Sequence, residues 1–358
     1  MSVKKYVSNW YSRHLNQPEA VALLLFLVVV ITGLYLLGEI LLPFLIALVV
    51  AYLLEWPVAY LERYKVPRSV SIGIVFTLFI TLLVLTIVGV VPVLKHQLSS
   101  LLNSLPEMFA EGKKLLMSFQ KDYPYLISES QYADIVESLK GYGTASGTYL
   151  LSFSLASISN ILTIIFYLVL VPILVFLLIK DKNDLAYQAH SFMPEESSLI
   201  YKVFEEVHIG LGNYIRGKFL EAVIVSISTA MVLMYFHLPY NALLSVLVGL
   251  SVFFPFVGTI VCTVPIALVG VFHLGLGSEF VKMILAYTIV QVIDGQIIVP
   301  IILAEALNMR TIFIILAIIL FGGLFGFWGV VFAIPLAILI RAIINLWPSI
   351  KKTPYKNC

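Results

Sequence analysis

Apolar runs about as long as a bilayer is thick recur along this chain, and they constrain its fold more than any other feature. A hydrocarbon core of about 30 Å takes roughly 20 residues of helix, and a helix satisfies its own backbone hydrogen bonds. Runs of this kind are Ala20–Leu37, Ile40–Trp56, Val70–Leu94, Ile158–Ile179, Phe219–Phe236, Phe280–Leu303 and Thr311–Leu346. An eighth region, Asn241–Phe272, is apolar but interrupted by Phe254-Pro255-Phe256-Val257-Gly258, and the last run is interrupted by Gly322-Gly323-Leu324-Phe325-Gly326. Composition closes off a soluble alternative. The chain is 61% hydrophobic and 12% charged, against about 45–50% and about 25% in soluble domains. The expectation is an all-α, polytopic integral membrane protein of about eight transmembrane units, with broken or hairpin helices in its C-terminal half.

Basic residues set the expected orientation, since cytoplasmic loops carry the excess of Lys and Arg. Lys4, Lys5 and Arg13 precede the first run; Arg63, Lys65 and Arg68 separate the second from the third. Lys180, Lys182, Lys202, Arg216 and Lys218 follow the fourth, and Lys351, Lys352 and Lys356 close the chain. All four groups fall on one side if both termini are cytoplasmic. The expected organisation is three transmembrane helices in 1–94, a small extracytoplasmic helical subdomain in 95–150, and a fourth transmembrane helix in 151–180. A cytoplasmic amphipathic region in 181–218, a C-terminal transport core in 219–348 and a tail in 349–358 follow. Leu98, Leu101, Leu102 and Leu105 give the subdomain its helical spacing, and Ile200, Val203, Phe204, Val207, Leu211, Tyr214 and Ile215 give the amphipathic helix its stripe.

An ionisable side chain inside hydrocarbon is expensive, which makes it a functional candidate. Asp294 is the sharpest, deep in the run Ile289–Pro300. Gln291, three residues earlier, shares its helical face. Gln296 joins them only if Gly295 and Pro300 break the helix. The expected site is polar, near the midplane, and takes a cation, a proton or a hydroxylated solute; the competing account is a hydrogen-bonded pair that glues helices together. Pro255 and Gly258, followed by Pro265, mark one broken helix, where freed carbonyls and half-helix ends can hold a solute. Gly322, Gly323, Gly326 and Gly329 mark the other, with close packing through small residues as its plainer explanation. At the cytoplasmic end, Glu221 is expected to pair with Arg216 or Lys218 near the interface, and Glu305 is a candidate gate. Glu39 and Glu55, at span ends, are expected to reach headgroups.

Enzyme signatures are missing. Glu205-Glu206-Val207-His208 lacks the spacing of a zinc helix, and there is neither a nucleophile elbow nor a phosphate-binding loop. No catalytic residue, metal site or cofactor is expected. A net charge of +2 without clustered Lys or Arg argues against a nucleic-acid partner. Cys262 and Cys358 form neither a disulfide framework nor a ligand spacing.

At several of these positions the chain resembles the autoinducer-2 exporter (AI-2E) family of bacterial permeases. Leu42-Pro43-Phe44-Leu45-Ile46-Ala47, Val66-Pro67-Arg68 and Tyr214-Ile215-Arg216-Gly217-Lys218 resemble its early spans and the step into its fifth. Phe254–Gly258, Gln291–Pro300 and Phe321–Pro335 are similar to its C-terminal motifs. Lys218 stands where the family usually has Gln, and Asn308-Met309-Arg310 replaces a small-apolar-Pro segment. The resemblance implies a multi-pass permease of the bacterial inner membrane, with quorum-signal export in some members and Na⁺(Li⁺)/H⁺ antiport in others. A homo-oligomer is expected for the class. An exporter of a small polar solute such as autoinducer-2 leads, the antiporter follows, and a non-transporting membrane scaffold is the reading from another class.

Overall fold

The computed structural model describes residues 18–122, 157–191, 198–255, 257–302 and 311–346. They are helical almost throughout: α1 (Pro18–Arg63), α2 (Arg68–Leu85), α3 (Val91–Asp122), α4 (Ser157–Lys180), α5 (Lys182–Ser191), α6 (Ser198–Tyr235), α7 (Asn241–Ser251), α8 (Val257–Leu274), α9 (Ser278–Ile293) and α10 (Thr311–Leu346). Seven described helices are long and apolar enough to cross a membrane. Leu78, Ile260 and Ile319, all about two-thirds exposed or more, show the surface this leaves for lipid.

The N-terminal runs differ from expectation in their joints. Ala20–Leu37 and Ile40–Trp56 lie on the single helix α1 of 46 residues, which runs through Gly38-Glu39 without interruption. The third run likewise continues through a π turn, Thr86–Val90, into α3. The stretch Arg68–Lys114 alone is 47 residues, about 70 Å at 1.5 Å per residue, so this rod extends well beyond a bilayer core. Residues 95–122 of the expected extracytoplasmic subdomain are the end of that rod; 123–156 lie outside the described residues. The expected amphipathic helix is the first half of α6, which runs unbroken into the fifth span.

The chain packs as two compact units: Met1–Phe79, Leu170–Leu220 and Ile298–Cys358 form the first, Ile80–Val169 and Glu221–Ile297 the second. In the first, Ala47, Ala51 and Val58 of α1 pack with Ile72 and Val75 of α2 and Val175 and Ile179 of α4. The small residues on α1 let the three helices approach closely. A charged clasp closes this core. Arg68 reaches Glu62 at 3.1 Å and Glu55 at 3.5 Å and donates to the Ile179 carbonyl at 2.9 Å, and Lys182 meets Glu55 at 2.9 Å. Glu55 therefore serves α1–α2–α4 packing rather than a headgroup. Trp56, Tyr60 and Tyr64 stack along the exposed face of the same helix end, where an interfacial aromatic belt belongs.

In the second unit α7 and α8 fold back on one another. Gly258 lies so close to Ser251 that a Cβ there would overlap the Ser251 carbonyl, and the Cys262 thiol donates to the Leu247 carbonyl at 3.5 Å. With 11 residues, about 16 Å, α7 is too short to cross a bilayer. Both ends of this hairpin rest on α3. The Gln97 side-chain carbonyl accepts from the Leu243 N–H at 2.8 Å, Ser104 and Tyr240 share a hydroxyl hydrogen bond of 2.7 Å, and Phe272 packs over Gly112. Tyr240, the residue before α7, sits at φ 61° and offers the helix no side-chain cap, so the rod supplies an acceptor for one of its free N–H groups. Below, Leu238, Leu244, Val248, Ile266, Val269, Met283 and Tyr287 join Val225 and Leu233 in one core.

The first unit contains a second reversal. Gly326 breaks α10 at φ 60°, ψ −136°, a conformation that an L side chain rarely tolerates. Past it, Gly329 lies against the Phe321 carbonyl with no room for a Cβ, and Phe321 and Ala317 share a cluster with Ala333 and Ala337. In a straight helix these residues would be far apart. α10 is thus a hairpin: a shorter apolar arm, Ile312–Phe327, and a second arm, Gly329–Leu346, of 18 residues.

The reversal predicts a contrast between glycines. Gly258→Ala, which drives a methyl into the Ser251 carbonyl, should lower stability by about 1–3 kcal/mol. Gly295→Ala, which meets nothing within 4 Å, should leave the thermal midpoint in detergent unchanged or slightly raised.

Candidate transport site

On α6 the residues Tyr214, Lys218, Glu221, Val225, Thr229 and Leu233 recur at steps of three or four and are all buried, which is the spacing of one helical face. Two charges therefore sit on the inward face of a membrane helix, with Lys218 4% and Glu221 1% exposed. Glu221 was expected near the interface, paired with Arg216 or Lys218. It lies deeper, within the packed ridge that also carries Lys218, while Arg216 donates to the Gly212 carbonyl at 2.9 Å and to the Asn213 side-chain oxygen at 2.7 Å. The neighbouring glycine, Gly217, has no room for a Cβ because Ile302 packs against it.

On α9 the inward face carries Met283 and Tyr287, both buried, then Gln291, and then Asp294, 7% exposed. Gln291 and Asp294 share a face as their spacing requires. The helix does not break at Gly295. It widens into a π turn over Asp294–Ile298 and continues to Ile302. Proline explains the widening. Pro300 has no N–H to donate, and its ring crowds the carbonyl four residues back. The other π turn, Thr86–Val90, stands in the same relation to Pro92. Because the turn is not a break, Gln296, Gly295 and Pro300 remain on the exposed side, away from Asp294. Single π turns inside α-helices are frequent at functional sites, and here the first residue of the turn is the buried carboxylate.

Val225 and Leu233 of α6 and Met283 and Tyr287 of α9 belong to one core in the second unit, so the faces bearing Glu221, Thr229, Gln291 and Asp294 share its packing. Within that unit Tyr287 and Thr263 of α8 exchange a hydroxyl hydrogen bond of 3.2 Å. Thr229 Oγ1 and Gln291 Nε2 are among the buried polar atoms that make no hydrogen bond among the described residues. Such groups are uncommon in folded proteins and cost free energy unless water or a ligand reaches them. Pro265 is half-buried in α8, and Gly322 and Gly323 flank the α10 tip. Glu305 lies outside the described residues.

Spanning helices, short arms that turn back, and buried charge define a polytopic membrane protein of the permease class. The chain belongs to the AI-2E family of transporters, whose model matches residues 24–349. Among its relatives, "Putative permease PerM" of Escherichia coli (strain K12) is 39% identical over 340 residues, covering 95% of this chain and 96% of PerM. "AI-2 transport protein TqsA" of the same strain is 24% identical over 330 residues, covering 91% and 92%. "Putative transport protein YueF" of Bacillus subtilis (strain 168) is 25% identical over 306 residues, covering 84% and 82%.

Apolar replacements at these two atoms test whether water reaches them. With water at hand, Thr229→Val and Gln291→Met are each expected to leave the thermal midpoint in detergent unchanged or lowered. A rise in both midpoints, by an increment worth about 1–2 kcal/mol, would show that the wild-type groups are dry and unsatisfied.

Proposed function

We propose that the chain is a secondary permease of the bacterial inner membrane whose pathway passes the buried acids Glu221 and Asp294 and exports a small polar solute. The observation that carries this reading is the placement of two carboxylates, one lysine and two unsatisfied polar atoms on the inward faces of α6 and α9. Structural glue accounts for paired groups but not for Gln291 Nε2 and Thr229 Oγ1, which a hydroxylated solute or its water would satisfy. The printed name of TqsA suggests autoinducer-2 as one solute of this kind.

Na⁺(Li⁺)/H⁺ antiport is the second reading, favoured by the carboxylates themselves. A carboxylate in a low-dielectric site holds either a proton or a cation, and alternation between the two is antiport. In either reading both termini are placed on the cytoplasmic side, the orientation that the distribution of basic residues favours.

Purified protein in liposomes separates these readings. Asp294→Asn should reduce solute or Na⁺ flux by about tenfold or more, the loss of one charge-assisted contact, while insertion and monodispersity persist. Antiport predicts Na⁺ flux driven by an imposed pH gradient, and solute export predicts autoinducer-2 counterflow without it. Wild-type flux of both kinds in Asp294→Asn would remove this carboxylate from the mechanism.

A further inference from the structure

The two hairpins reverse about matching residues. In the α7–α8 hairpin, Ser251 faces Gly258 and Leu247 faces Cys262, centring the reversal on Phe254-Pro255. In α10, Phe321 faces Gly329 and Gly322 faces Val330, centring it on Phe325-Gly326. Aligned on those centres, Phe254-Pro255-Phe256-Val257-Gly258 meets Phe325-Gly326-Phe327-Trp328-Gly329 residue for residue. Each tip is Phe, a helix breaker, Phe, a bulky residue and Gly. In both, that last glycine is the one whose Cβ would overlap a carbonyl of the incoming arm. Further on, Val264-Pro265-Ile266-Ala267-Leu268 is matched by Ile334-Pro335-Leu336-Ala337-Ile338, with one residue fewer in between.

The correspondence continues upstream into the helix that precedes each hairpin. Lys218-Phe219-Leu220-Glu221-Ala222 and Gln291-Val292-Ile293-Asp294-Gly295 share the order polar, apolar, apolar, acid, small. Ile224-Val225 follows the first acid at the same distance as Ile297-Ile298 follows the second. Both acids are buried. Apolar membrane sequences resemble one another by chance in their Leu, Ile and Val. The agreement here lies in the residues that are not interchangeable: the breakers, the glycine without room for a Cβ and the buried acid.

We infer that a spanning helix with a buried acid followed by a hairpin occurs twice in this chain, first as α6 with α7–α8 and again as α9 with α10, as an inverted repeat. Inversion follows from chain connectivity. α9 and its π turn, Ser278–Ile302, make one crossing of 25 residues between the hairpins, so hairpins that each return to their side of entry enter from opposite membrane faces. Inverted repeats place solute sites at the repeat interface. Under the permease reading, on which this part rests, Glu221 is the counterpart of Asp294 and has equal standing in the pathway.

Sidedness of the hairpin ends tests the repeat without any transport assay. Cysteines are placed singly at His237, Leu276, Arg310 and Lys351 in the full-length chain carrying Cys262→Ala and Cys358→Ser. An impermeant maleimide is then applied to intact cells and to inverted vesicles, with solubilised protein defining full labelling. His237→Cys and Leu276→Cys should label from one face, and Arg310→Cys and Lys351→Cys from the other. Ends of either hairpin labelling on opposite faces, or all four sites on the same face, would overturn the inference. Flux then tests the equivalence. Glu221→Gln should lower it as far as Asp294→Asn does, with more activity kept in Glu221→Asp. Wild-type flux in Glu221→Gln beside a dead Asp294→Asn refutes the equivalence. Wild-type flux in both refutes the permease reading of these acids and leaves the labelling result to decide the repeat.

Discussion

A backbone surrounded by hydrocarbon has to satisfy its own hydrogen bonds, and the C-terminal part of this chain depends on the two places where it does so while reversing direction. Reversal inside an apolar layer requires two arms in close contact, so that few peptide groups at the tip are left without partners. Close contact in turn requires glycine where the outgoing arm passes the carbonyls of the incoming one. Gly258 against Ser251 and Gly329 against Phe321 meet that requirement. The long rod α2–α3 completes the first hairpin from outside it, with Gln97 accepting from the N-terminus of α7 and Ser104 bonded to Tyr240.

Against that frame of short arms, the charges on α6 and α9 are costly and directional. A carboxylate in such surroundings survives only on an inward face with partners or water at hand, and both Glu221 and Asp294 are on inward faces. The π turn adds a local adjustment. Gln291 and the carboxylate share a face through their spacing on the regular helix, and the widened turn that starts at Asp294 carries the helix on past Pro300 with Gln296 and Pro300 exposed. The wet-side charges behave differently: Glu55, Glu62, Arg68 and Lys182 hold α1, α2 and α4 together at their ends.

Much of this was legible in the sequence because it depends on residue types with strong local effects. The tips at Pro255–Gly258 and Gly322–Gly329 announce themselves through glycine and proline, and Asp294 through its charge amid isoleucine and valine. Membership of the AI-2E family was legible for the same reason, since its motifs lie at those tips and that carboxylate. What escaped was set by distance or by register. Gln97 caps a helix 146 residues away, for which no local pattern exists. Glu221 stands so near Arg216 and Lys218 that an interfacial pair was the natural expectation, and only the ridge Tyr214–Leu233 reveals its depth. Gly38-Glu39 separates the first two apolar runs in the sequence, yet α1 runs straight through it. Pro300 was expected to break α9, whereas a π turn absorbs its missing donor without interrupting the rod.

The central claim is that water and solute reach the inward faces of α6 and α9 within the membrane. A cysteine at Gln291, in a chain otherwise free of cysteine, tests it most directly through reaction with a small, charged methanethiosulfonate in intact membranes. A pathway predicts modification that slows when transported solute or Na⁺ is present. If position 291 stays unmodified from both faces while a loop cysteine reacts fully, the interior is dry, and the pathway described here does not exist.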